Sequence, residues 1–173
     1  DISLRDLFQQ RTIASIAHLI ENDIHVSSIP IIDASSPVPL SGMQEQIWLE
    51  EELNPASANY HIPLSYDLHG TVDSDILKQA LQDLSERQQI LKSHLSQNSE
   101  TISQSLASDF TLDFEFIKLD DVVTLSLVTE TIIQQTFNLY QTPLWRVRLI
   151  QLSGSEYRLL FVFHHLIFDG HSQ

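Results

Sequence analysis

Two adjacent histidines, His164 and His165, leave the apolar run Leu159-Leu160-Phe161-Val162-Phe163 and are followed closely by Asp169 and Gly170. Imidazole gains and loses protons near neutrality, so one positioned histidine suffices to take the proton that an amine or hydroxyl loses when it attacks a thioester. Its N–H could also stabilise the charge that develops during the attack. Successive side chains on an extended backbone point to opposite sides, so only one of the pair faces a given cleft. The other turns into the protein, to hydrogen-bond backbone or to hold a loop. Asp169 follows in the next turn, where a carboxylate could brace the chain, and Gly170 would permit a backbone conformation closed to other residues.

Other readings of these residues stay open. A histidine pair arises by chance and can be structural or merely exposed. A metal site built from His164, His165, Asp169 and His171 is a second reading. Against it, neighbours on a strand diverge, and the helical i, i+4 histidine spacing of the zinc proteases is absent. Ser41, Ser93 and Ser172 are candidate nucleophiles, yet none stands in a Gly-x-Ser-x-Gly elbow, and caps or loop positions suit them better.

The elements that must position the pair are legible as changes of period. Residues 159–163 are apolar on both faces, as a strand in the middle of a covered sheet requires. Before it, Trp145, Val147 and Leu149 alternate with Arg146, Arg148 and Ile150, and Ser153-Gly154-Ser155 predicts a hairpin between the two strands. Ile62, Leu64, Tyr66 and Leu68 predict a half-buried strand, and Phe110, Leu112, Phe114 and Phe116 another. Helices are predicted over residues 43–52, after an Asp73 cap with the face Leu77, Leu81, Leu84, Leu91, and from about Asp121 to Phe137. At the amino end, Ser3 and Asp6 form a capping pattern ahead of Leu4, Leu7 and Phe8. From Thr12, the stripe Ile13, Ile16, Ala17, Ile20 predicts a helix ending near Asn22. Ser27, Ser28, Pro30, Ser35, Ser36, Pro37 and Pro39 then break every period, which marks residues 23–38 as a linker.

Composition narrows the function classes. With 173 residues and 42% hydrophobic content, the chain can bury a sizeable core. A net charge of -14 would repel a phosphate backbone, and the nine basic residues form no run, so nucleic acid is not an expected partner. No stretch reaches the roughly 18 apolar residues of a membrane span, and no signal-peptide layout opens the chain, so a soluble, cytoplasmic protein is expected. The absence of cysteine removes disulfides, thiolate nucleophiles and Cys-type zinc sites together.

His164-His165-Leu166-Ile167-Phe168-Asp169-Gly170 resembles the HHxxxDG signature of condensation domains in nonribosomal peptide synthetases, part of the chloramphenicol-acetyltransferase-like superfamily. Other segments resemble the family in order. Leu40-Ser41-Gly42-Met43-Gln44-Glu45-Gln46-Ile47-Trp48 is similar to the opening motif S-x-A-Q-x-R-x-W, and Asn59-Tyr60-His61-Ile62-Pro63 to the strand entry after it. Glu86-Arg87-Gln88-Gln89-Ile90-Leu91-Lys92-Ser93 is a diluted R-H-E-x-L-R-T motif, while Phe137-Asn138-Leu139 with Pro143-Leu144-Trp145-Arg146 is similar to F-D-L…P-L-x-R. Gln46 stands where arginine is usual, and Gln88-Gln89 where His-Glu is usual, which removes the charges those positions carry in the family. Ser3-Leu4-Arg5-Asp6-Leu7-Phe8 through Ile13-Ala14-Ser15-Ile16-Ala17 resembles the end of a carrier-protein domain.

The resemblance implies an α+β, chloramphenicol-acetyltransferase-like two-layer sandwich lobe, a mixed sheet covered by helices, with a short N-terminal helical appendage. Residues 1–22 would be the last helices of a carrier domain, 23–38 the linker, and 39–173 the N-terminal lobe of a condensation domain. The implied enzyme is an acyltransferase that forms an amide bond between a carrier-bound acyl thioester and a carrier-bound aminoacyl acceptor. His165 would assist the amine's attack, His164 and Asp169 would shape the loop, and Gly170 would leave room for the acceptor arm. An arginine partner is expected for Asp169, from Arg87, Arg146 or the second lobe that would complete the domain beyond Gln173. No metal or cofactor is expected in this lobe, because substrates arrive on phosphopantetheine arms of donor and acceptor carrier domains. The serine that bears such an arm belongs upstream of Asp1, and Ser3 does not occupy its motif. A non-catalytic carrier-docking platform, or ester formation, epimerisation or dehydration on the same signature, are the alternatives.

Overall fold

The computed structural model describes residues 12–22, 36–55, 57–98, 101–119 and 124–172. The chain divides into two compact units, Asp1–Asp33 and Ala34–Gln173. In the first, α1 (Ile13–Asn22) starts where Thr12 and Ser15 cap each other: the Thr12 hydroxyl accepts the Ser15 N–H at 3.2 Å, and the Ser15 hydroxyl donates to the Thr12 carbonyl at 2.8 Å. Ile16 is half-buried, whereas Ile13 and Ala17 are exposed, so the predicted stripe is only partly covered. The Ser3 capping pattern and most of the linker fall outside the described residues.

The second unit is built on a four-stranded sheet in the order β2 (His61–His69), β7 (Glu156–His164), β6 (Trp145–Ser153), β5 (Phe114–Lys118). All neighbours are antiparallel except β5 and β6, which run parallel and are joined by α4 (Leu125–Gln134), the crossover that a parallel pair needs. The two central strands are buried on both faces, as their sequence requires. Trp145, Val147, Leu149, Tyr157, Leu159 and Phe163 pack into one cluster with Ile47 of α2 (Gly42–Leu53), Leu81 of α3 (Ser74–Arg87) and Leu95. The alternate residues Ile150, Leu160 and Val162 pack with Ile132 of α4. Among the described residues, no helix is long and apolar enough to cross a membrane.

Local chemistry sets the element boundaries. Ser41 forms a capping box with Gln44 at the start of α2, and Asp73 accepts the amides of Asp75 and Ile76 at the start of α3. Gly70, at φ +113, makes the turn out of β2 and donates its N–H to Ser155 at 2.8 Å. The sequence reading placed three boundaries differently. Helix α3 stops at Arg87, so Leu91 lies in the following 3-10 turn, Gln89–Lys92, and Leu84 is exposed. Strand β5 starts at Phe114, leaving Leu112 buried ahead of it. Helix α4 ends at Gln134, short of Phe137.

A second sheet, β1 (Val38–Pro39), β4 (Ile102–Leu106) and β3 (Ser93–Gln97), has no apolar alternation to betray it. Its cross-strand contacts are hydroxyls: Ser96 meets the Ser103 and Ser105 side chains at 3.0 and 2.7 Å. Leu95 anchors it to the core, and its N–H donates to the Leu139 carbonyl.

Candidate active site

Strand β7 ends at His164, and the chain turns through His165, Leu166 and Ile167 as the His164 carbonyl accepts the Ile167 N–H at 3.1 Å. The strand pleat separates the two imidazoles. His164 is 1% exposed, on the sheet face shared with His61 and Arg146, whereas His165 is exposed. His165 lines a cleft of about 460 Å³ formed with Ser41, Met43, Gln44 and Ile47 of the α2 segment, Ile90, and the turn residues through Asp169 and Ser172. An apolar groove of about 380 Å³ adjoins it and shares Ile90, Ile167, Phe168 and Ser172. Phe168 stacks on Phe163, centroids 4.1 Å apart, which ties the far side of the turn to the core.

The buried neighbours of His164 set its protonation. Burial, reinforced by His61 and His165, pushes its imidazole down to about 3, so the ring is neutral at pH 7. Its Nδ1 accepts the Leu166 N–H at 3.1 Å, which leaves the ring proton on Nε2. That atom faces Glu51 Oε1 at 3.6 Å, and burial raises the Glu51 carboxyl above its ordinary range. Burial also lowers His61, whose Nδ1 lies 2.6 Å from the Ile133 carbonyl.

Each sequence-singled residue has a defined place. Asp169 bonds within its own loop: its Oδ1 accepts the His171 N–H at 3.0 Å and the Ser172 hydroxyl at 2.8 Å, and these bonds hold its carboxyl below the usual range. Among the described residues no arginine pairs with Asp169, and Arg146 is committed elsewhere, donating to the carbonyl of Ile132 in the last turn of α4 and to those of Gln135 and Thr136 just past its end. Gly170 corrects another expectation. It has no positive φ, and a Cβ there would meet nothing within 4 Å, so its backbone conformation is open to other residues. Ser41 is a helix cap, the Ser93 hydroxyl donates to the Ile90 carbonyl, and Ser172 bonds Asp169. Among the described residues no group of His, Asp or Glu side chains is placed to hold a metal.

Two residues around the site were not singled out from sequence. Tyr60 accepts the His165 N–H at 2.8 Å on its carbonyl, and its ring lies beside both imidazoles. Gln44 donates from its side-chain amide to the Leu166 carbonyl at 3.0 Å and to Gln104 at 3.2 Å. The signal for Gln44 was its recurrence with Ile47, Trp48 and Glu51 at i, i+3, i+4 and i+7, one face of a helix.

This fold is that of solved condensation domains of nonribosomal peptide synthetases. The starter condensation domain of rhizomide synthetase superposes with a TM-score of 0.73 at 23% identity, covering 79% of this chain and 36% of that one. A four-domain nonribosomal peptide synthetase bound to AMP and glycine gives 0.72 at 21%, covering 84% of this chain and 11% of that one. The condensation domain family model matches residues 34–173, and the chain belongs to that family. Over 99% of its length it is 32% identical to cyclosporin synthetase of Tolypocladium inflatum and 29% identical to surfactin synthase subunit 1 of Bacillus subtilis. It spans about 1% and 5% of the lengths of those two relatives.

Proposed function

We propose that this chain supplies one wall of the active site of an amide-forming condensation domain, an acyltransferase, with His165 as the proton-handling residue. The observation that carries the reading is the divergence of the histidine pair, which leaves His164 sealed in the protein and His165 on the cleft. In the reaction, the acceptor's amine nitrogen attacks the donor's thioester carbonyl, the new C–N bond forms, and the C–S bond breaks. The amine's proton passes to His165 Nδ1 or Nε2 and leaves with the departing thiol. Both substrates would be presented on phosphopantetheine arms of carrier domains, in the cytoplasm, and the second wall would come from a further lobe.

Residues 1–22 are proposed as the last helices of a carrier domain and 23–38 as the linker to the lobe at 39–173. The similarity to cyclosporin synthetase over 99% of the chain, which extends through the amino-terminal unit, supports this order. His164 and Asp169 hold the loop, and Gly170 borders the space an acceptor arm would use. The test is single-turnover product formation by the complete protein with donor- and acceptor-loaded carriers. His165→Ala should lower the rate by about a hundredfold or more, the usual contribution of a positioned acid–base group. Unchanged turnover would refute the role, and carrier binding without any turnover would identify a docking platform.

A further inference from the structure

The face of α2 turned to the site carries polar side chains two helical turns apart, Gln44 beside Leu166 and Glu51 beside His164. Gln44 holds the carbonyl of Leu166, the residue directly after His165, at 3.0 Å. The Leu166 N–H is held at 3.1 Å by Nδ1 of His164, whose opposite nitrogen, Nε2, faces Glu51 Oε1 at 3.6 Å. Among the described residues, neither Nε2 nor that carboxylate oxygen has a hydrogen-bond partner, although both are buried. A separation of 3.6 Å exceeds a full hydrogen bond, and closing it by roughly half an ångström would satisfy both atoms. An imidazole that accepts at one nitrogen must carry its proton on the other, so an acceptor opposite Nε2 selects the tautomer able to receive the Leu166 amide.

We propose that Glu51 is a positioning residue that fixes the tautomer and orientation of His164, and through them the turn that carries His165. The proposal rests on the assignment of His165 to the chemistry only for its effect on turnover; its effect on the turn is independent. Helix α2 thereby grips Leu166 by both of its backbone polar groups, directly through Gln44 and indirectly through Glu51 and His164.

The ring-nitrogen NMR signals of isotope-labelled histidines read the tautomer directly. In the wild-type protein His164 should carry its proton on Nε2, and a proton on Nδ1 overturns the proposal without any variant. Glu51→Gln keeps an oxygen acceptor and should preserve the tautomer. Glu51→Leu should mix the two tautomers and lower hydrogen-exchange protection of the Leu166 amide at least about tenfold. Retained tautomer and protection in Glu51→Leu would overturn it. In turnover, Glu51→Leu should lower kcat at least about tenfold with carrier KM unchanged, while Glu51→Gln stays within about threefold. Altered protection with unaltered turnover, in a protein that His165→Ala inactivates, also overturns it. Loss of the His165 assignment leaves the tautomer result standing.

Discussion

The amide of His165 donates to the carbonyl of Tyr60 at 2.8 Å, one step past the last registered pair of the β2–β7 ladder, His61 with His164. The ladder therefore continues into the turn, and the exposed histidine is attached to the sheet through its own backbone. The Tyr60 ring reinforces this by lying 6.4 and 6.3 Å from the two imidazole centroids. Removing the ring and removing the hydroxyl should then have different consequences. Tyr60→Ala should cost about 2 kcal/mol in urea unfolding, because a half-buried aromatic body is lost. Tyr60→Phe should stay within about 0.5 kcal/mol, because its hydroxyl bonds Glu50 at the surface.

The depressed His164 imidazole predicts acid sensitivity. Unfolded, the group titrates near 6.5, and folded, it resists protonation down to about 3. The unfolded state thus binds a proton that the native state refuses. The stability this group contributes is complete above about 6.5 and lost as the pH falls towards 3. Between pH 7 and pH 5 the loss is about 2 kcal/mol for this residue. His61, lowered by the same burial, adds to it, whereas Glu51, raised by burial, opposes it by taking up a proton in the native state. Denaturant midpoints measured across this window should fall with pH, and His164→Gln should flatten the slope.

Among the arginines, burial separates structural groups from surface ones. Arg146 is 3% exposed, donates to three carbonyls and stacks on Phe137 at 3.9 Å. Arg146→Met leaves those carbonyls without their donor, and the expected loss is about 3 kcal/mol. Arg158, half-buried on β7, pairs at 2.7 Å with the exposed Asp67 of the edge strand β2, where solvent reaches and screens the charges. Arg158→Met should cost less than about 1 kcal/mol. Parallel urea titrations of the two variants check the contrast.

The sheet and the site were unequally legible in the sequence, for physical reasons. Strands β6 and β7 carry their burial as alternation and as an unbroken apolar run, and the pleat alone says that His164 and His165 diverge, without saying which of them is buried. The β3–β4 pairing was hidden because serine hydroxyls, including Ser96 and Ser103, take the place of apolar cross-strand pairs. Tertiary demands moved other boundaries: Phe137 reads as a helix residue, yet it leaves α4 to pack on His61 at 4.9 Å and on Arg146. The polar groups behind the site were illegible for a similar reason. Glu51 reads as one of three consecutive glutamates, and only the i+7 relation to Gln44 distinguishes it from its exposed neighbour Glu52.

Gly170 separates a conformational role from a spatial one. A glycine retained for backbone freedom has a positive φ or a crowded Cα, and its replacement by alanine destabilises the fold. Gly170 has neither, since its φ is not positive and an added Cβ would meet nothing within 4 Å. Gly170→Ala should therefore leave the unfolding midpoint unchanged or raise stability by up to about 1 kcal/mol, through loss of unfolded-state freedom. If the open space beside it receives the acceptor's arm, the same methyl should raise the acceptor carrier's KM, and Gly170→Val should raise it further, while donor loading is unaffected. Measuring unfolding and acceptor kinetics on the same preparations divides the outcomes. Normal stability with a raised acceptor KM assigns Gly170 to the arm's path. Normal stability with an unchanged KM in both variants would remove it from that path.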